Sequence, residues 1–131
     1  MERVMILKES NIGSINNSSG LFGKIKSFNI DYNQENFIVF FLDSKNRLIK
    51  SVNLFKGGLN ECIIDPKALF RKALLLNANA VIVSHNHPSG DLNPSEEDID
   101  IYNKLKEGGK FIGIKVLDSV IFNKKEFYSM D

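Results

Sequence analysis

The run FIVFFLD at positions 37–43 constrains the fold more than any other stretch of the sequence. It is continuously apolar and mixes aromatic with β-branched residues. Such a run suits a strand that is covered on both faces, not one that is half exposed to water. The chain must then bring packing layers to both sides of one sheet.

The flanking sequence supplies them. Asp43, Ser44, Lys45 and Asn46 are turn formers, and RLIKSVNLF after them alternates. Leu48, Lys50, Val52 and Leu54 fall on one side and Ile49, Ser51 and Asn53 on the other, so the pair reads as a β-hairpin. Gly57 and Gly58 break or bulge its second strand. Asp65-Pro66 is a helix start, an N-cap residue followed by proline at the first helical position. Leu69, Ala73 and Leu76 form the inward stripe, widened by Phe70 and Leu74, and Asn77 to Asn79 end the helix. AVIVS at 80–84 is a short buried strand. A second helix is expected from Asn93-Pro94-Ser95 to Gly108-Gly109, with Ile99, Tyr102 and Leu105 inward. FIGIKVLDSVIF then reads as two strands bent near Asp118-Ser119, and EFYSM as an edge strand. The expected class is α/β (α+β), a single mixed β-sheet flanked by helices.

With 131 residues the chain is sized for one domain. Residues 1–20 read as a short N-terminal segment with a flexible connection, SNIGSINNSSG. The domain proper is expected over 21–131, opening with a short amphipathic helix through Leu21, Phe22, Ile25 and Phe28. Lys+Arg is 17 against 16 Asp+Glu, a near-neutral balance that gives no support to a strongly nucleic-acid-binding or membrane-surface protein. The single cysteine, Cys62, cannot close an internal disulfide or frame a Cys-rich zinc site, and reads as a small core residue. No apolar run is long enough to span a bilayer, and MERVMILKES lacks the features of a signal peptide. A cytoplasmic location is the expectation; oligomeric state is not legible.

The chemistry concentrates in SHNHPSGDLNPSEED, 84–98. In extended backbone, residues i and i+2 point the same way, so His85 and His87 can converge at the end of the AVIVS strand. Pro88 stiffens the chain beyond them and Gly90 permits a sharp return. Asp98 then lies in the first turn of the next helix. A strand end and a helix start facing each other can deliver two imidazoles and one carboxylate to a single centre. Three protein ligands leave a fourth position for water, whose pKa a metal lowers to about 7. Taken singly, each residue has a plainer role. An isolated pair of histidines is more often structural, Ser95 is a good N-cap, and Asp98 suits a helix N-terminus. HEXXH and the deaminase pattern are both absent. The letters H-N-H are not the nuclease motif, whose residues are dispersed.

The spacing His85-x-His87, seven residues, Ser95, two residues, Asp98 resembles the JAMM motif of MPN-domain metalloproteases. HNHPSGD and PSEEDI are similar to its RadC-like branch, with the similarity running from about Glu35 to near the C-terminus. That resemblance implies an MPN/JAMM, cytidine-deaminase-like architecture and a zinc ion held by His85, His87 and Asp98. It gives Ser95 the stabilisation of an oxyanion and implies a general-base glutamate on an earlier strand. Glu35 stands where that residue belongs, with Glu61 as runner-up. The implied activity is zinc-dependent hydrolysis of a peptide or isopeptide bond in a protein substrate. A DNA-repair-associated accessory protein and a metal-binding scaffold without turnover remain as alternatives. The 34 residues before Glu35 show no helix-hairpin-helix character, so the family's association with DNA transfers poorly.

Overall fold

The computed structural model describes residues 2–5, 18–54 and 64–131. The expectations for Gly57, Gly58, Glu61, Cys62 and most of SNIGSINNSSG lie outside those residues. The described elements run β1 (Glu2–Met5), α1 (Ser18–Lys26), β2 (Phe37–Leu42), β3 (Leu48–Leu54), α2 (Pro66–Leu75), β4 (Ala80–Asn86), α3 (Glu96–Ile112), β5 (Lys115–Phe122) and β6 (Phe127–Ser129). The six strands form one mixed sheet in the order β1-β3-β2-β4-β5-β6. Among the described strands only β4 and β5 pair in parallel, as α3 crosses over between them.

All six residues of β2 are buried, because the sheet is covered on both faces. Phe37, Val39 and Phe41 pack with Leu69 and Ala73 of α2 and Leu105 of α3. Ile38, Phe40 and Leu42 pack on the opposite face with Leu21 and Ile25 of α1. The mixed sheet flanked by helices is therefore the architecture expected from the sequence. Asp65 caps α2 by accepting a hydrogen bond from the Lys67 N–H at 3.1 Å, with Pro66 in the first turn.

Several local expectations are corrected. α3 does not end at Gly108-Gly109; it continues to Ile112 and closes on Gly113, at φ 81° in the left-handed region. The glycine pair serves close packing instead. A Cβ on Gly109 would stand 2.2 Å from the Ile114 carbonyl oxygen, and one on Gly108 would stand 3.2 Å from the Phe70 ring. Phe111 and Ile112, read as strand, lie in the last helical turn, and Phe111 is 91% exposed. Ile99 and Leu74 point outward rather than into the core. The C-terminal apolar run is one strand with a bulge, not two strands. Its pairing steps from Val81↔Val116 to Ile82↔Asp118, which leaves Leu117 as the extra residue.

β3 also departs from simple alternation. Ser51 and Asn53 are about as buried as Val52, in a strand that β1 and β2 flank on both edges. Pairing with β2 steps from Phe41↔Lys50 to Leu42↔Leu48, so Ile49 is extra there. β1, from the segment set apart from the domain in the sequence reading, pairs with β3 as the edge strand.

Candidate metal centre

The site lies where β4 ends and α3 begins. His85 is the penultimate residue of β4, and Phe37 stands directly across from it on β2. Their rings stack nearly parallel, 5.6 Å apart with 4° between planes. This fixes the imidazole on the face of the sheet that carries α2 and α3. Continuing the β2–β4 register by two residues sets Glu35 across from His87 on that same face. A turn follows in which the Gly90 N–H donates to the His87 carbonyl at 2.8 Å. Gly90 takes φ 83°, the left-handed conformation its lack of a Cβ permits.

Ser95 and Asp98 form a capping box at the start of α3. The Asp98 N–H donates to Ser95 Oγ at 3.0 Å, and the Ser95 N–H donates back to Asp98 Oδ2 at 2.8 Å. The plain cap role of Ser95 is thus real, and it is also what aims the Asp98 carboxylate. Because Ser95 Oγ accepts in this bond, its own hydroxyl proton is still available for donation.

The three ligand types converge. His85 Nε2 lies 3.1 Å from Asp98 Oδ1, and His87 Nε2 lies 3.1 Å from Asp98 Oδ2. One ligand atom from each of the three residues falls within 4.8 Å of the other two. A hollow of about 510 Å³ opens over them and is lined by Glu35, Phe37, His85, His87, Ser95 and Asp98, among others. The structure therefore brings all five sequence-derived site residues to one place.

The donor set fits a divalent cation on two observations. His87 Nδ1 lies 2.7 Å from the Asp91 carbonyl. A carbonyl can only accept, so Nδ1 carries a proton and Nε2 of the neutral ring presents a lone pair. That lone pair faces a carboxylate oxygen, an arrangement satisfied by a second proton or by a cation between them. His85 is 2% exposed. Although its Nε2 is near Asp98, the approach is too poorly aligned for a hydrogen bond, and neither ring nitrogen has such a partner. A buried imidazole without hydrogen bonds is costly unless something else takes its lone pair. The Asp98 carboxyl is pushed up by partial burial, but the His85 imidazole and the Ser95 N–H outweigh this and hold it well below the usual carboxylate range. It is thus ready to ligate without first losing a proton.

Sequence reasoning missed the residues that hold Glu35 in place. Asn86, between the two histidines, faces the opposite side of the sheet. Its amide oxygen accepts from the Asn36 N–H at 2.8 Å and from Asn36 Nδ2 at 3.1 Å. Its Nδ2 donates to the carbonyls of Gln34 at 2.9 Å and Tyr32 at 3.4 Å. Asn53 Nδ2 donates to Asn36 Oδ1 at 3.1 Å, and Asn53 Oδ1 accepts from the Phe37 N–H at 3.3 Å. These three buried asparagines tie the segment bearing Glu35 to the end of β4. The available signal was Asn53, a polar residue in a strand flanked by apolar runs.

The profile of the RadC-like JAB domain family matches residues 15–131. A UPF0758 protein of Staphylococcus haemolyticus is 40% identical over 129 residues, 98% of this chain and 53% of its own length. A UPF0758 protein of Geotalea uraniireducens is 46% identical over 99 residues, 76% of this chain and 43% of its own. One from a bovine strain of Staphylococcus aureus is 47% identical over 100 residues, 76% of this chain and 44% of its own. The chain spans about half the length of the curated relatives it matches.

Proposed function

Because the chain belongs to the RadC-like JAB domain family, we propose that it is a zinc-dependent hydrolase of peptide or isopeptide bonds. One observation carries this reading. His85, whose ring nitrogens lack hydrogen bonds, meets His87 and Asp98 within 4.8 Å at the floor of a hollow that Glu35 and Ser95 also line.

In this reading His85 Nε2, His87 Nε2 and the Asp98 carboxylate hold the metal, with Asp91 fixing the His87 tautomer from behind. Zinc held there would supply Lewis acidity, to a scissile carbonyl and to a water that it would make more acidic. Glu35 takes the proton of the attacking water and passes it to the leaving nitrogen, so water's oxygen bonds to the carbonyl carbon as the C–N bond breaks. The Ser95 hydroxyl, anchored as an N-cap, donates to the oxyanion. No helix among the described residues is long and apolar enough to cross a membrane.

The test is a metal-loaded preparation challenged with a broad panel of peptides and isopeptide-linked conjugates. Chelation is expected to abolish cleavage. Glu35→Gln is expected to keep the metal and lose roughly 10²- to 10⁴-fold in turnover. Ser95→Ala is expected to lose roughly 10²-fold or more. Cleavage that survives chelation, or that Glu35→Gln leaves intact, contradicts the proposal. A loaded centre that is inert across the panel points instead to a metal-binding scaffold.

A further inference from the structure

A second hollow, of about 330 Å³, opens on the other side of His87, with Tyr32, Gly90, Asn123, Lys124 and Lys125 in its walls. His87 lines both hollows, so the two adjoin at this residue. Their charges differ in sign. The hollow over the metal ligands carries four carboxylates, Glu35, Glu97, Asp98 and Asp100, and one cation, Lys104. The second is lined by two lysines and no carboxylate.

The lysines sit on a braced turn. Asn123, just beyond β5, accepts through Oδ1 from the Lys125 N–H at 2.8 Å and the Glu126 N–H at 2.7 Å. Its Nδ2 donates to the Gly90 carbonyl at 2.9 Å. One side chain therefore shapes the lysine turn and ties it to the loop carrying His87. The Lys124 ammonium lies 5.6 Å from the centroid of the Tyr32 ring, within the range of a cation–π attraction.

We propose that this second hollow is a substrate subsite that takes a carboxylate-bearing stretch of an extended peptide, while the residues around the bond to be cut occupy the hollow over the metal ligands. The proposal rests on the hydrolase reading and adds the substrate's charge pattern. An acidic peptide is favoured over a nucleic acid. The cationic surface is one confined hollow beside a carboxylate-lined one, and a phosphate backbone continuing past His87 would meet those carboxylates.

Two measurements test it separately from catalysis. In the first, zinc-loaded Glu35→Gln protein is titrated with fluorescent Gly/Ala octapeptides carrying Glu-Glu near one end, Gln-Gln in its place, or only a free C-terminal carboxylate. The Glu-Glu peptide is expected to bind roughly tenfold more tightly than Gln-Gln at low salt, fading as salt rises. The Lys124→Glu/Lys125→Glu variant, with unchanged metal content, is expected to lose or reverse that preference. Tighter binding of the free-carboxylate peptide than of Glu-Glu would assign the hollow to a chain terminus rather than to acidic side chains. Equal binding of all three, or a preference that survives the double substitution, overturns the subsite. So does displacement of the Glu-Glu peptide by an eight-nucleotide single strand at lower concentration than unlabelled peptide. In the second, zinc-loaded wild-type protein digests a peptide library. Acidic residues are expected at a fixed distance from the cut, and that enrichment is expected to vanish in the double variant. Cleavage without the enrichment removes the subsite and leaves the hydrolase; discrimination in binding without cleavage does the reverse.

Discussion

The side-chain oxygen of Asn86 accepts two hydrogen bonds from Asn36, one from its backbone N–H at 2.8 Å and one from its side chain at 3.1 Å. Asn86 lies between His85 and His87, and Asn36 lies next to Glu35. The segment bearing Glu35 and the end of β4 are thus held to each other on the face of the sheet opposite His85, His87 and Asp98. Asn86→Ala leaves the buried Asn36 N–H without its partner and removes one of the two side-chain amides that donate to the Gln34 carbonyl. Each such loss costs on the order of 1–3 kcal/mol and the losses are not additive. A destabilisation of about 1–3 kcal/mol is expected in chemical denaturation, with turnover falling further than metal affinity. A variant within about 0.5 kcal/mol of wild type would show that the pairing does not hold the segment.

Two glycine substitutions probe the packing of the helices. Gly109→Ala drives a Cβ to 2.2 Å from the Ile114 carbonyl oxygen, a backbone atom that cannot swing aside. It is expected to destabilise by roughly 3 kcal/mol or more. Gly23→Ala lies inside α1 and meets nothing within 4 Å. It is expected to stabilise by about 0.5–1 kcal/mol. Unfolding midpoints of the two variants check both signs.

The acid limb of stability follows from Asp98. Partial burial raises its pKa, but the His85 imidazole and the Ser95 N–H dominate and depress it. A carboxyl depressed in the folded state binds its proton more weakly there than in the unfolded chain. Its stabilisation is therefore complete above the unfolded value, near 4, and is lost as the pH falls toward the folded value. In metal-free protein, the stability difference between wild type and Asp98→Asn is expected to shrink as the pH falls below about 4. Urea titrations from pH 7 to pH 2 measure it. A difference that grows below about pH 4 would contradict the sign.

Much of this was legible because local signals agreed with the fold. FIVFFL announced a strand covered on both faces, Asp65-Pro66 a helix start, and Gly90 a positive φ. The spacing from His85 to Asp98 matched a strand end facing a helix start. What stayed hidden depended on neighbours distant in sequence. Gly108-Gly109 looks like a helix stop but is needed where α3 crosses Ile114 and Phe70. Bulges at Ile49 and Leu117 are set by pairing register, which no single strand encodes. The Asn36–Asn53–Asn86 network joins β3, β4 and the residue just before β2, and none of the three asparagines shows its partners in the sequence.

The most direct test of the account is the metal stoichiometry of the purified protein after exposure to zinc. Wild type is expected to retain about one ion per chain, as a three-residue site with an open position predicts. His85→Ala, His87→Ala and Asp98→Ala are each expected to lose it while still folded by circular dichroism. Glu35→Gln is expected to keep it. Retention of zinc by the folded His87→Ala and Asp98→Ala proteins at wild-type level, or its absence from wild type, would contradict the central claim.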